Sequence, residues 1–218
     1  MHSATYRFFD AAFTVASDDP SFLARFDRFC GPFRAAADPA APVYRVRLQA
    51  AAELDLNGAI WRAADPAALS LFAHGAIVNA AAARVHSHFL FHAAALAAAD
   101  GTGIMIAGDA GLGKTTLTLA LLRRGYRVYS DDVAAVGCTD GLLHPFPRPL
   151  AVRDATCGPG EKRLLDADGL AAAGAWIRTP RPLRRLFLLA TDADPAAPAG
   201  GHTIVLDRIS DPLLWDLT

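Results

Sequence analysis

Two groups of residues in this chain have the types and spacing to handle phosphate. The first is Gly108-Asp109-Ala110-Gly111-Leu112-Gly113-Lys114-Thr115, which fits G-x-x-x-x-G-K-[ST] at every fixed position and is followed by Thr116. Glycines let the backbone turn its N–H groups onto one point, and a helix starting there adds its positive dipole end. Lys114 is expected to reach the β- and γ-phosphates of a nucleoside triphosphate, and the Thr115 hydroxyl to ligate Mg²⁺. The second group is Asp131-Asp132, at the end of the apolar stretch 126–130. An acid in that place holds the Mg²⁺ shell in phosphate-loop proteins. Adjacent acids on an extended backbone point to opposite sides, so one can face the metal and the other an acceptor hydroxyl.

The elements around these residues give the loop the context it needs. Residues 103–107 form a short apolar run that predicts a buried strand. Residues 116–124 have helical periodicity and stop at Gly125, a C-cap residue. Residues 126–133 predict a second strand, carrying the aspartates at its end. The apolar run 89–97 predicts one strand beside 103–107, with Asp100-Gly101 as a hairpin turn. Upstream, residues 4–16 read as a strand or hairpin. Pro20 starts a helix with Phe22, Leu23, Phe26 and Phe29 at core spacing, ended by Gly31-Pro32. Residues 43–48 and 58–62 read as strands, and 66–84 as one long helix.

Downstream, Asp140-Gly141 is a hairpin signal. The proline-rich stretch 144–150 suits an edge or a surface loop. An amphipathic helix is predicted over about 161–170, strands over 186–190 and 202–206, and a loop over 192–201. The expected fold is α/β: a mixed sheet containing a phosphate-binding loop (P-loop), with flanking helices. Residues 1–84 form an α+β lead-in packed on the core, and 85–218 the nucleotide-binding core.

Composition narrows the function classes. The chain has 218 residues, 53% hydrophobic, and a formal net charge of -1, which offers no attraction for nucleic acid or a membrane surface. The three cysteines, Cys30, Cys138 and Cys157, are scattered, without C-x-x-C spacing, which suits a reducing, cytoplasmic setting. No secretory signal pattern opens the sequence, and no apolar run reaches about 18 residues. His86, His88 and His92 share strand parity, but no neighbouring Cys or carboxylate completes a transition-metal set. Arg178, Arg181, Arg184 and Arg185 form the one clear basic cluster. It reads either as a solvated face or as a contact for an anionic substrate, and Arg148 has the same two readings.

Taken in order, His92-Ala93, the loop Gly108 to Thr115, Arg124-Gly125-Tyr126, Asp131-Asp132 and Pro145-Phe146-Pro147-Arg148-Pro149 resemble the catalytic domain of HPr kinase/phosphorylase. The similarity is greater to the HPr-kinase-related group, which includes kinases of lasso-peptide precursors, and it covers about residues 88–153. It implies an HPr kinase C-terminal-domain-like fold and ATP-dependent, Mg²⁺-dependent phosphorylation of a serine on a peptide or protein, such as a ribosomally made precursor peptide. It also implies Asp131 as general base, Asp132 as metal ligand and His92 beside the transferring phosphate, with Arg148 or a basic-cluster arginine adding positive charge; the basic-cluster reading makes Arg148, Arg184 and Arg185 the candidate substrate contacts. Relatives form homo-oligomers, so self-association is expected too. There are two departures. Thr116 stands where better-known members place Glu, and the glycine-rich segment associated with phosphorolysis is missing downstream. The lead-in also differs from theirs, so HPr itself is not the expected acceptor. A small-molecule kinase on the same scaffold and a nucleotide-binding regulator with little catalysis are the alternative readings.

Overall fold

The computed structural model describes residues 1–49, 51–152, 163–165 and 176–189. The chain separates into two compact units, Met1–His88 and Phe89–Thr218.

The first unit is a five-stranded sheet with two helices. Strands β1 (His2–Phe8) and β2 (Ala11–Ser17) form a hairpin, Phe8 opposite Ala11 and His2 opposite Ser17. Asp19 caps α1 (Pro20–Cys30): its carboxylate accepts the Ser21 N–H at 2.8 Å, and Pro20 costs nothing in the first turn, where its N–H would be unpaired anyway. Phe22, Leu23 and Phe26 are buried on one side of α1, and Tyr6 meets Phe26 edge-on at 5.1 Å. A 3₁₀ turn, Gly31–Phe33, follows. The crossover delivers β3 (Val43–Arg47) parallel to β2, and β4 (Glu53–Leu56) and β5 (Ala59–Arg62) extend the sheet antiparallel. Asp65 caps α2 (Pro66–Ala82), whose buried Leu69, Ala73, Ile77 and Ala81 recur every four residues and form one ridge.

The second unit holds a seven-stranded mixed sheet. Its members are β6 (His88–Phe91), β7 (Ala93–Ala97), β8 (Gly103–Ala107), β9 (Arg127–Ser130), β10 (Ala134–Gly137), β11 (Leu142–His144) and β14 (Arg181–Leu188). The spatial order is β6-β10-β11-β14-β8-β7-β9. A separate pair joins β12 (Leu150–Val152) to β13 (Arg163–Leu165). The one helix described in this unit is α3 (Lys114–Leu122). With its two units the chain is a mixed α/β protein.

Strand β7 is buried along its whole length, and its small side chains explain how the sheet is covered on both faces. Ala94 and Leu96 share one face with Ile104 and Ile106, against which Leu117 and Leu121 of α3 pack. Ala93, Ala95 and Ala97 face the other way, onto Tyr129, Met105, Leu143 and Ile177. The parallel pairing of β14 with β8 is equally tight. A Cβ placed on Gly103 would stand 2.6 Å from the Pro182 carbonyl oxygen and 2.9 Å from Leu143 Cδ1. Gly103→Ala must therefore push apart backbone, and a loss of about 1–3 kcal/mol is expected in urea denaturation. A change within a few tenths of a kcal/mol would mean that the pairing is looser than described.

Several elements differ from the sequence reading. The run 89–97 is two strands, because the chain leaves β10's neighbourhood at His92 and re-enters the sheet beside β8. Residues 163–165, expected in a helix, pair with β12 as a strand. The proline-rich stretch 144–150 is not a surface loop, since Phe146, Pro149 and Leu150 are buried. Strand β14 starts at Arg181, five residues before the predicted 186. The rest of the predicted helix 161–170, the loop 192–201 and the strand 202–206 lie outside the described residues. No helix among the described residues is long and apolar enough to cross a membrane.

Candidate functional site

Strand polarity brings together the residues that the sequence reading assigns to phosphate. Strands β8 and β9 both pair antiparallel with β7, so they run parallel to each other and end at the same edge of the sheet. The glycine loop follows β8 at that edge, and Asp131 and Asp132 follow β9. His92, just before β7, starts from the same edge.

The loop itself spans six residues between Ala107 and Lys114. Gly108, Gly111 and Gly113 adopt φ of 150°, 89° and 88°, which side chains bearing a Cβ adopt only with strain. Gly113 N-caps α3 in the left-handed conformation, and the Leu117 N–H closes the first helical turn onto its carbonyl at 2.8 Å. The Lys114 side chain folds back over the loop, donating to the Gly108 carbonyl at 2.6 Å and the Asp109 carbonyl at 3.0 Å. Its ammonium is thus held inside the curve of the loop. Thr118, one turn further along the same side of α3, is fully buried, with a hydroxyl oxygen that has no hydrogen-bond partner among the described residues.

The two aspartates separate sharply. Asp131 is 5% exposed, and its Oδ2 accepts the Thr115 hydroxyl at 3.2 Å. Asp132 has a side chain 45% exposed, held between His92 Nδ1 at 3.3 Å and Arg148 Nη1 at 2.9 Å. A bend stabilised by Ser130 produces this split: the Ser130 hydroxyl accepts the N–H groups of Asp132 at 3.3 Å and Val133 at 3.1 Å. Sequence reasoning passed over Ser130. The available signal was a small hydroxyl residue directly before two acids, a common turn device. Arg148 reaches Asp132 because buried Phe146 anchors the stretch before it, and the Arg148 N–H returns to the Phe146 carbonyl at 2.9 Å.

Sequence reading placed Asp132 on the metal and Asp131 on the acceptor hydroxyl. The structure brings Asp131, not Asp132, to Thr115, and places Asp132 with His92 and Arg148. Arg184 and Arg185 are not brought to the loop. Arg185 lies level with Ile104, four residues before Gly108, roughly 13 Å along the strand from the loop.

Burial pushes the Asp131 carboxyl up to about 6, and the negative charge of Asp132 adds to the rise; the Thr115 hydrogen bond and Arg148 act in the opposite direction. The folded chain therefore keeps a proton that the unfolded chain releases near its ordinary value of 3.8. The sign follows: Asp131 disfavours the folded state increasingly as pH rises from about 4 to about 6, and the cost is constant above that. A rise from 3.8 to about 6 corresponds to roughly 3 kcal/mol. Asp131→Asn removes this contribution. Relative to the variant, the wild type is expected to lose stability across that window in urea denaturation without divalent cations, and parallel curves would contradict it. As hard oxygen donors, a hydroxyl and a buried carboxylate at 3.2 Å, Thr115 and Asp131 fit a divalent cation such as Mg²⁺.

No family model matches the chain. Among curated proteins, it is 44% identical to the HPr kinase/phosphorylase of Treponema pallidum (strain Nichols) over 41 residues, 19% of this chain and 13% of that one. To the HPr kinase/phosphorylase of Clostridium kluyveri (strain NBRC 12016) it is 43% identical over 44 residues, 20% of this chain and 14% of that one. A fifth of the chain is HPr-kinase-like. The match spans only 13–15% of the length of the relatives compared. Among solved structures, the Hpr(Ser) kinase/phosphatase from Coxiella burnetii aligns with a TM-score of 0.38 at 24% identity, covering 50% of this chain and 71% of that one.

Proposed function

We propose that the second unit is a P-loop kinase that transfers the γ-phosphoryl group of ATP to a serine hydroxyl on a peptide or protein. The observation that carries this reading is the split of the aspartate pair. One acid is buried against the hydroxyl of Thr115, and the other is exposed and oriented by two side chains. A site that only bound a nucleotide would have no use for the second arrangement.

In this reading the loop N–H groups of 108–113 and the start of α3 bind the phosphates. Lys114 contributes positive charge to the β- and γ-phosphate oxygens. Thr115 and Asp131 would hold Mg²⁺, which offsets phosphate charge and orients the phosphoryl group when bound. Asp132 takes the proton of the acceptor serine as its oxygen bonds to the γ-phosphorus and the bond to the β–γ bridging oxygen breaks, releasing ADP. His92 and Arg148 fix the Asp132 carboxylate, one oxygen each, on a side chain that stays 45% exposed. This exchanges the roles that the family resemblance implies for the two aspartates.

Similarity to HPr kinase/phosphorylases supports phosphotransfer to a protein hydroxyl, and the exposed base suits an acceptor presented on a chain. The test is an acceptor screen by mass spectrometry, with ATP and Mg²⁺ and a choice of serine peptides, free serine, sugars and nucleosides. The expected product is phosphoserine in peptide, lost when the serine is replaced by alanine. Phosphate on a small hydroxyl compound, with none on peptide, would replace this reading with the small-molecule kinase.

A further inference from the structure

The arginines that do not reach the loop converge elsewhere. Strand β14 runs parallel to β8, so its first residues lie at the sheet end opposite the glycine loop. That end also receives the last turn of α3 and the first residue of β9, because α3 runs away from the loop and β9 runs back towards it. Residues 176–181 cross between the two sides. Ile177 donates its N–H to the Val128 carbonyl at 3.1 Å on edge strand β9, and Arg181 is already paired opposite Leu143. The result is a belt around that end of the sheet: Arg123 and Arg124 follow α3 on one face, Arg178 and Arg181 lie in the crossing that packs on the other face, and Arg127 on β9 and Arg184 and Arg185 on β14 stand between them.

All of these except Arg181 are exposed, and none is in an ion pair among the described residues. The contrast with the first unit is informative. There six of the eight arginines, Arg7, Arg25, Arg34, Arg45, Arg47 and Arg62, have an acidic partner, and Arg28 and Arg84 stand outside any ion pair among the described residues. At the belt the described acid is Asp100, within electrostatic reach of Arg185, and its carboxylate is already accepting the Thr102 N–H at 2.8 Å. The partial negative charge at the end of α3 offsets about half of one charge, against seven arginines. Arg181 adds a separate sign. Its guanidinium stands against the Gly101 turn, and its Nε is shut from solvent without a hydrogen-bond partner among the described residues.

We infer that this belt is a docking surface for an acidic segment of a peptide or protein partner. From β9 to β14 the sheet spans three strand spacings, roughly 14 Å, which matches four or five residues of extended chain. Arginine forks take carboxylates in two parallel hydrogen bonds, so a run of Glu or Asp crossing the belt could meet several at once. Nucleic acid suits the surface less well. The whole chain has a formal net charge of -1, the exposed aromatic of β14, Phe187, lies level with Ile106 towards the loop end, and the aromatics beside the belt, Tyr126 and Trp176, are only partly exposed, Tyr126 being packed against the core. The inference concerns binding at the far end of the sheet and holds whether or not the loop performs the proposed transfer.

The test is fluorescence anisotropy with a labelled oligoglutamate peptide and the full chain at low ionic strength. Saturable binding is expected, weakened at least about tenfold by Arg184→Glu plus Arg185→Glu and by Arg123→Glu plus Arg124→Glu. Arg28→Glu, an exposed arginine of α1 in the first unit, should leave the affinity unchanged. Thermal melts check the fold, and the corresponding Gln variants, with a smaller loss expected, replace any Glu pair that does not fold. The inference is overturned if the wild type does not bind, if Arg28→Glu weakens binding as much as the belt variants, or if neither belt pair matters. Tighter binding of an oligothymidylate than of the peptide would overturn it in favour of a nucleic-acid face.

Discussion

Lys114→Ala is expected to abolish phosphoryl transfer while leaving a folded chain. Lys114 is the cation at the centre of the loop, 7% exposed and held by the Gly108 and Asp109 carbonyls. In the proposed reaction alanine removes the charge that would meet phosphate oxygens as they gain charge in the transition state, and a loss on the order of 10²–10³-fold or more is expected. The cost to stability should be modest, about 1–2 kcal/mol, because two hydrogen bonds disappear but so does the burial of an ammonium group. The assay pairs transfer rate with urea denaturation. Undiminished transfer in a folded variant would remove the loop from the chemistry altogether.

The second large effect separates the two aspartates. Asp132→Asn should slow transfer on the order of 10²-fold or more, as loss of a general base does, with ATP affinity nearly unchanged. Asp131→Asn should instead raise the Mg²⁺ concentration needed for half-maximal activity by about tenfold or more, since it removes a charged oxygen donor. The assignment rests on Asp131 accepting the Thr115 hydroxyl, while Asp132 lies between His92 and Arg148. Rate measurements over a Mg²⁺ series in both variants distinguish the two effects. The reverse pattern would return the roles to those implied by the family resemblance.

What could be read from sequence was local. The succession of strand, glycine loop and helix from 103 to 122 is specified by apolar runs, glycines and helical periodicity within some twenty residues, and β8 and α3 occur there. The helix starts at Pro20 and Pro66 are likewise local, each set by an Asp cap and a proline. What was not legible depends on distant pairing. The break between β6 and β7 at His92 falls inside an unbroken apolar run, and only the different neighbours of the two strands reveal it. The direction of β14, which carries Arg184 and Arg185 away from the loop, follows from its parallel register with β8, some eighty residues upstream. The roles of Asp131 and Asp132 turn on the Ser130 bend, where side-chain hydrogen bonds decide which neighbour faces inward. Phe146 shows the same limit: its prolines exclude a central strand but do not reveal that the aromatic ring is buried.

In the proposed reaction a phosphoryl group leaves this loop for a serine on a chain. This transfer is tested most directly by incubating the protein with ATP labelled in the γ-phosphoryl group, Mg²⁺ and a pool of serine-containing peptides, then locating the label. Label is expected in peptide phosphoserine, absent with Lys114→Ala and strongly reduced with Asp132→Asn. Label that remains in ATP, or appears only as inorganic phosphate, would contradict it.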